Sequence, residues 1–166
     1  MQILLVEPYD TGSHGIWMRG YQAHSAHDVR ILSLEGQFWQ WRMQGGAVTL
    51  AEQFRALDHL PDVMVASDML DLTTFLALTR PLTARIPAAV YFHENQLTYP
   101  AGPRQKLQQH YAFINYASAL AADAVFFNSA FHRDAFFEEL PRLLKHYPDY
   151  TGLHTLAPLR ERSRVL

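Results

Sequence analysis

The sequence predicts an α/β domain built on a doubly wound, Rossmann-like parallel sheet. Two observations carry that expectation. Apolar runs of strand length alternate five times with longer segments of helical period. Such alternation requires right-handed crossovers and a parallel sheet covered on both faces. The fourth run, Val90-Tyr91-Phe92, then stops abruptly at His93-Glu94-Asn95-Gln96. A strand that ends this way delivers titratable and hydrogen-bonding groups to one edge of a sheet, and ligands of open α/β sheets bind at that edge.

Taken in order, Ile3 to Val6 reads as a buried strand, Asp10-Thr11-Gly12 as a turn and Ser13 as the cap of a helix carrying Trp17, Tyr21 and His24 on one face. Val29 to Leu34 is the second strand. After an aromatic loop, Ala47, Leu50, Ala51 and Phe54 keep the spacing of an amphipathic helix. Val63 to Ala66 is the third strand, followed by a helix capped by Asp68 with Asp71 in its first turn. Ala88 to Phe92 is the fourth. Gly102-Pro103 opens a long helix with Leu107, Tyr111, Ile114 and Ser118 inward. Ala124 to Phe127 is the fifth strand, and Phe137, Leu140 and Leu144 mark a last helix disturbed by Pro141. Beyond Tyr147 two prolines interrupt the pattern, and Val165-Leu166 resembles the start of another strand. The expected strand order is 3-2-1-4-5, with the switch point between strands one and four.

The 166 residues suit one domain or slightly more, and 49% hydrophobic against 18% charged residues supports a real core. A net charge of -2 gives no broad basic face. Arg104, Lys106, Arg133, Arg142 and Lys145 spread over two helices as a solvated face, so this chain is not expected to grip RNA alone. The absence of cysteine excludes disulfides and thiolate metal sites. Met1 to Glu7 lacks the basic start of a signal peptide, and no run reaches membrane-spanning length, so the expected compartment is the cytoplasm.

Three places carry candidate chemistry. Gly12-Ser13-His14 follows strand one. Its free N–H groups at a helix start suit a phosphate or sugar hydroxyl, although a plain capping turn would look the same. Neither the GxGxxG spacing nor a Gly-Lys-Ser/Thr element is present. His93 and Glu94 are the catalytic candidates, with Asn95 and Gln96 beside them. A histidine there can serve as a base or donate to a substrate hydroxyl; a buried histidine and asparagine satisfying the loop is the plainer account. Trp39, Trp41 and Arg42, in the aromatic loop, could stack on a base and contact a phosphate, or pack against the neighbouring helix. Asn128 and Ser129 end strand five, either at the same cleft or as a helix cap. The nine histidines form no HxH or HxxxH pair, so no metal is expected, and no GxSxG elbow occurs.

These segments, Leu5-Val6-Glu7 before Gly12-Ser13-His14, Phe38 to Arg42, Tyr91-Phe92-His93-Glu94-Asn95-Gln96-Leu97-Thr98-Tyr99-Pro100 and Phe126-Phe127-Asn128-Ser129, stand in that order. Together they resemble the N-terminal domain of the glycosyltransferase-like family that includes the tRNA-queuosine α-mannosyltransferases. The likeness spans nearly the whole chain, with Thr11 replacing a second glycine common in the family. It implies the N-terminal half of a GT-B enzyme, in which residues 1–146 form the acceptor-side domain and 147–166 lead towards an absent donor-binding domain. It further implies retention of configuration without a metal or cofactor, and a nucleotide-sugar donor, GDP-mannose, bound mainly by the absent half. Under the resemblance Gly12, Ser13 and His14 line the cleft near the transferred sugar and its phosphates. His93 and Glu94 orient the acceptor hydroxyl or the sugar, and Trp39, Trp41 and Arg42 meet the modified base or anticodon region of a tRNA. Two other readings stay open: a non-catalytic Rossmann-like module that binds a nucleotide or tRNA, and an interaction domain that dimerises.

Overall fold

The computed structural model describes residues 1–99 and 108–166. The expected helix start at Gly102-Pro103, Leu107 on its inner face, and Arg104 and Lys106 of the basic set lie outside the described residues. Six strands, β1 (Gln2–Asp10), β2 (Asp28–Glu35), β3 (Val63–Ser67), β4 (Ala88–Phe92), β5 (Ala124–Phe127) and β6 (Ser163–Val165), form one sheet. Among the described residues six α-helices accompany them: α1 (Gly12–His24), α2 (Trp39–Arg55), α3 (Leu72–Thr83), α4 (Gln108–Ala121), α5 (Ala130–Lys145) and α6 (Leu156–Glu161). Every strand pair is parallel, as the sequence predicts.

The order is β2-β1-β3-β4-β5-β6, which corrects the expected 3-2-1-4-5. Ile3 of β1 pairs with Val29 on one side and Val63 on the other. Hydrophobicity explains the difference. Strand β2 carries Asp28, Arg30 and Glu35, all exposed, and such a strand belongs at an edge. The apolar Val63-Met64-Val65-Ala66 is the better neighbour for fully buried β1. The chain therefore changes direction across β1 and β3, and the switch point lies there rather than between β1 and β4.

This order distributes the helices unevenly. Ile3 and Leu5 pack with Met18 of α1 and Val29, while Leu4 and Val6 join a larger core. That larger core draws on α2 (Leu50, Phe54), α3 (Phe75), α4 (Tyr116, Ala119) and α5 (Phe136, Leu140). After β2, each crossover steps in the same direction, so right-handedness places α2 to α5 on one face and leaves α1 on the other. Phe92 and Phe127 stack at 4.9 Å where β4 meets β5, with Phe136 tilted onto both.

Helix ends differ in detail from expectation. Helix α1 opens one residue before Ser13, at Gly12, whose φ of +51° is the left-handed turn that glycine tolerates best. Asp71, not Asp68, caps α3: its carboxylate accepts from the N–H and hydroxyl of Thr74. Ser129 caps α5 through the His132 N–H, as its sequence position suggests. Pro141 does not end α5, because buried Leu140 and Leu144 hold the helix against the sheet to Lys145. Beside β5, Ser163–Val165 adds the sixth strand near the point where the sequence reads another one.

Candidate functional site

Glu7 lies in the last apolar stretch of β1 and is 1% exposed, a position that penalises a carboxylate unless it is paired. Its partner is His14 in the first turn of α1. The carboxylate accepts from His14 Nδ1 at 2.8 Å, and its other oxygen accepts the Tyr9 N–H at 2.8 Å. Burial alone would push the His14 imidazole down, but the Glu7 hydrogen bond and the charges of Asp68 and Glu94 outweigh it. The result is a pKa raised to about 9, so His14 is an imidazolium at neutral pH. Nearby, Gly15 permits a second pair: a Cβ there would stand 2.5 Å from Asp10 Oδ1, which accepts from Arg19 at 2.8 Å.

The His93 ring stacks on His14 with centroids 4.1 Å apart and 29° between planes. Trp17 of α1 presses its edge on His93 and lies flat on Tyr91 at 4.3 Å. The His93 side chain is only 9% exposed. Asp68, just after β3, accepts the backbone N–H of His93 at 2.8 Å. Its Oδ1 also stands 3.4 Å from His93 Nδ1, near enough for attraction but not aligned as a hydrogen bond. Asp68 Oδ2 and both His93 ring nitrogens are buried without a partner among the described residues. Glu94 is half-buried; burial first, then the Asp68 charge, raises its pKa, against the pull of His14 and His93. Placing β3 between β1 and β4 thus does not separate the two predicted groups. The Gly12 turn and His93 meet at the carboxyl edge across β3.

The remaining predicted residues divide between bracing and exposure. Asn95 is buried and holds its own turn, its Oδ1 accepting from the N–H groups of Leu97 and Thr98 at 3.0 Å. Gln96 is buried too, and its N–H donates to Asn115 Oδ1 of α4, while Asn115 Nδ2 donates to the Asp68 carbonyl at 2.7 Å. One amide so ties the loop after β4 to the loop after β3. Asn128 Nδ2 donates to the His93 carbonyl at 2.7 Å, and Ser129 is the cap already described. Gly12 and Ser13 are exposed beside His14. The expected aromatic loop is corrected: from Trp39 the segment is already the first turns of α2, and the two readings fall on different residues. Trp39 packs on Tyr111 at 5.1 Å, with Met43 and Met69 alongside. Trp41 remains 62% exposed, its ring lying close over Gly45, and Arg42 Nε donates to the Glu35 carbonyl.

Glu7, Asp68 and Asn115 carry much of this architecture and were not singled out for it by their sequence positions. Glu7 offered one signal, an acid closing an otherwise apolar strand. Proximity also brings together groups that sequence spacing cannot: Glu7, His14 and His93 hold ligand-type atoms within 4.8 Å of one another, as do His14, Asp68 and Glu94.

No helix among the described residues is long and apolar enough to cross a membrane. Residues 2–166 match the family model described as tRNA-queuosine alpha-mannosyltransferase N-terminal. A Drosophila melanogaster protein named tRNA-queuosine alpha-mannosyltransferase is 36% identical over 168 residues, covering 99% of this chain. The chain spans 43% of that relative's length. With a parallel Rossmann-like sheet and a charged cluster at its carboxyl edge, this chain belongs to the tRNA-queuosine alpha-mannosyltransferase N-terminal family.

Proposed function

We propose that the chain is the acceptor-side half of a retaining GT-B glycosyltransferase that moves mannose from GDP-mannose to queuosine in tRNA, in the cytoplasm. It acts together with a donor-binding half. The observation that carries this reading is the Glu7–His14–His93–Asp68 cluster at the sheet edge, in a chain matching that family from residue 2 to 166. Transfer breaks the bond between the sugar's anomeric carbon and a phosphate oxygen and the O–H bond of the acceptor, joins the anomeric carbon to that acceptor oxygen, and leaves the acceptor's proton on the departing diphosphate. Negative charge grows on the departing diphosphate. A buried imidazolium at the start of a 13-residue helix, beside N–H groups that have no partner within the helix, suits that charge. His93 keeps His14 in place by stacking, and Glu94 presents a carboxyl group to the acceptor side. The positive charge comes from a proton on His14, so no metal is called for.

The test is transfer by the full-length protein, with queuosine-containing tRNA offered GDP-mannose or other nucleotide sugars. The expected result is one hexose added to queuosine from GDP-mannose, undiminished by EDTA, and lost in His93→Ala when folding is intact. A protein that binds this tRNA but transfers no sugar from any donor would be the non-catalytic module instead.

A further inference from the structure

Between the carboxyl ends of β4 and β5 lies an open hollow of about 250 Å³, lined by His93, Glu94, Tyr99, Asn128, Phe131 and His132 among others. Phe131, in the first turn of α5, is 85% exposed and forms one wall of the hollow, so its ring offers an open apolar face there. His132 is the opposite case, 9% exposed, with its Nε2 buried and without a partner among the described residues. The bonding pattern fixes which form it takes. Asn128 Nδ2 is committed to the His93 carbonyl, so Asn128 Oδ1 is an acceptor, and His132 Nδ1, 3.0 Å away, donates to it. The other nitrogen, Nε2, is then a bare lone pair. Burial lowers the pKa of His132 and keeps it that way at neutral pH.

We propose that this hollow receives the planar base of the acceptor nucleoside of an RNA, its ring lying on Phe131 and its N–H or O–H groups facing His132 Nε2 and Glu94. The proposal rests on the function given above and names the acceptor's place within it. Charge favours a base over a phosphate: among the described residues no lysine or arginine lines the hollow, and the Glu94 carboxyl is part of its lining. Size favours one ring system, because the volume falls below the roughly 300–1,000 Å³ of pockets that enclose a whole small ligand. Position favours the reacting end of the acceptor, since the hollow shares His93 and Glu94 with the charged cluster.

Phe131 is on the surface, so Phe131→Ala leaves the melting temperature unchanged and the test is clean. Binding to the full-length protein is measured by fluorescence anisotropy with two anticodon stem-loops, one carrying queuosine and one abasic at that position. Stacking on a base corresponds to roughly 5- to 150-fold in affinity. Phe131→Ala is expected to weaken the queuosine stem-loop about tenfold, leave the abasic one unchanged, and be restored by Phe131→Trp. The KM for GDP-mannose should not move. Equal binding of the queuosine RNA by wild type and Phe131→Ala, or equal weakening of both RNAs, overturns the inference. A wild-type protein that transfers no sugar defeats the functional reading instead, and the binding comparison still decides the hollow.

Discussion

The buried cluster and the aromatic segment at the start of α2 both offer rings and charge at the same sheet edge, yet they are built differently. Glu7, His14, Asp68 and His93 are held at 9% side-chain exposure or less, each positioned by another member. Trp41 stands 62% exposed, and its neighbour Arg42 donates to a backbone carbonyl. In the first region one substitution strands a charge away from water; in the second it changes a surface. Buried charge makes residues interdependent, and exposed aromatic area leaves them separable.

The hardest test of that contrast is Glu7→Ala, which leaves the His14 imidazolium buried without its partner. The expected loss is about 3–5 kcal/mol in urea unfolding. A loss below about 1 kcal/mol would mean that the pair contributes no more than a surface ion pair does. Acidity probes the same pair without mutation. His14 is raised to about 9 from an ordinary 6.5, so the folded state holds the proton more tightly than the unfolded one. The pair's contribution is complete below about pH 6.5 and disappears as pH rises through 9, a loss of about 3 kcal/mol at most. Melting of the wild type should decline across that window more steeply than melting of His14→Gln. Asn115→Ala comes next, since it unpairs the Gln96 N–H and the Asp68 carbonyl in a site with no access to water; about 2 kcal/mol is expected. Smallest is Trp41→Ala, within about 0.5 kcal/mol of wild type in stability. Should Trp41→Ala also leave binding of a queuosine stem-loop unchanged, the segment's role in RNA contact falls away.

Much of this was legible in the chain before folding was considered. All five predicted strands exist, because runs such as Ala88–Phe92 are apolar throughout and bounded by polar turns. The abrupt change at His93 correctly marked a strand end at the carboxyl edge. Strand order was not legible, since it depended on comparing β2 with β3 as neighbours for β1, a competition that alternation alone does not reveal. Nor was the convergence of Glu7, Asp68 and Asn115, which stand far apart in sequence and meet only through register and crossover. Asp68 looked like a helix cap because a carboxylate before an apolar helix usually is one; here Asp71 takes that position and frees Asp68 for the His93 N–H.

Among the described residues helix α1 is alone on its side of the sheet, and it bears both Met18 of the smaller core and His14 of the cluster. Fraying of these 13 residues would therefore unroof hydrophobic surface and dismantle the cleft in one event. A molecule that grips His14 must slow that opening, so amide deuterium uptake along Gly12 to His24 becomes a gauge of occupancy, readable without following any reaction.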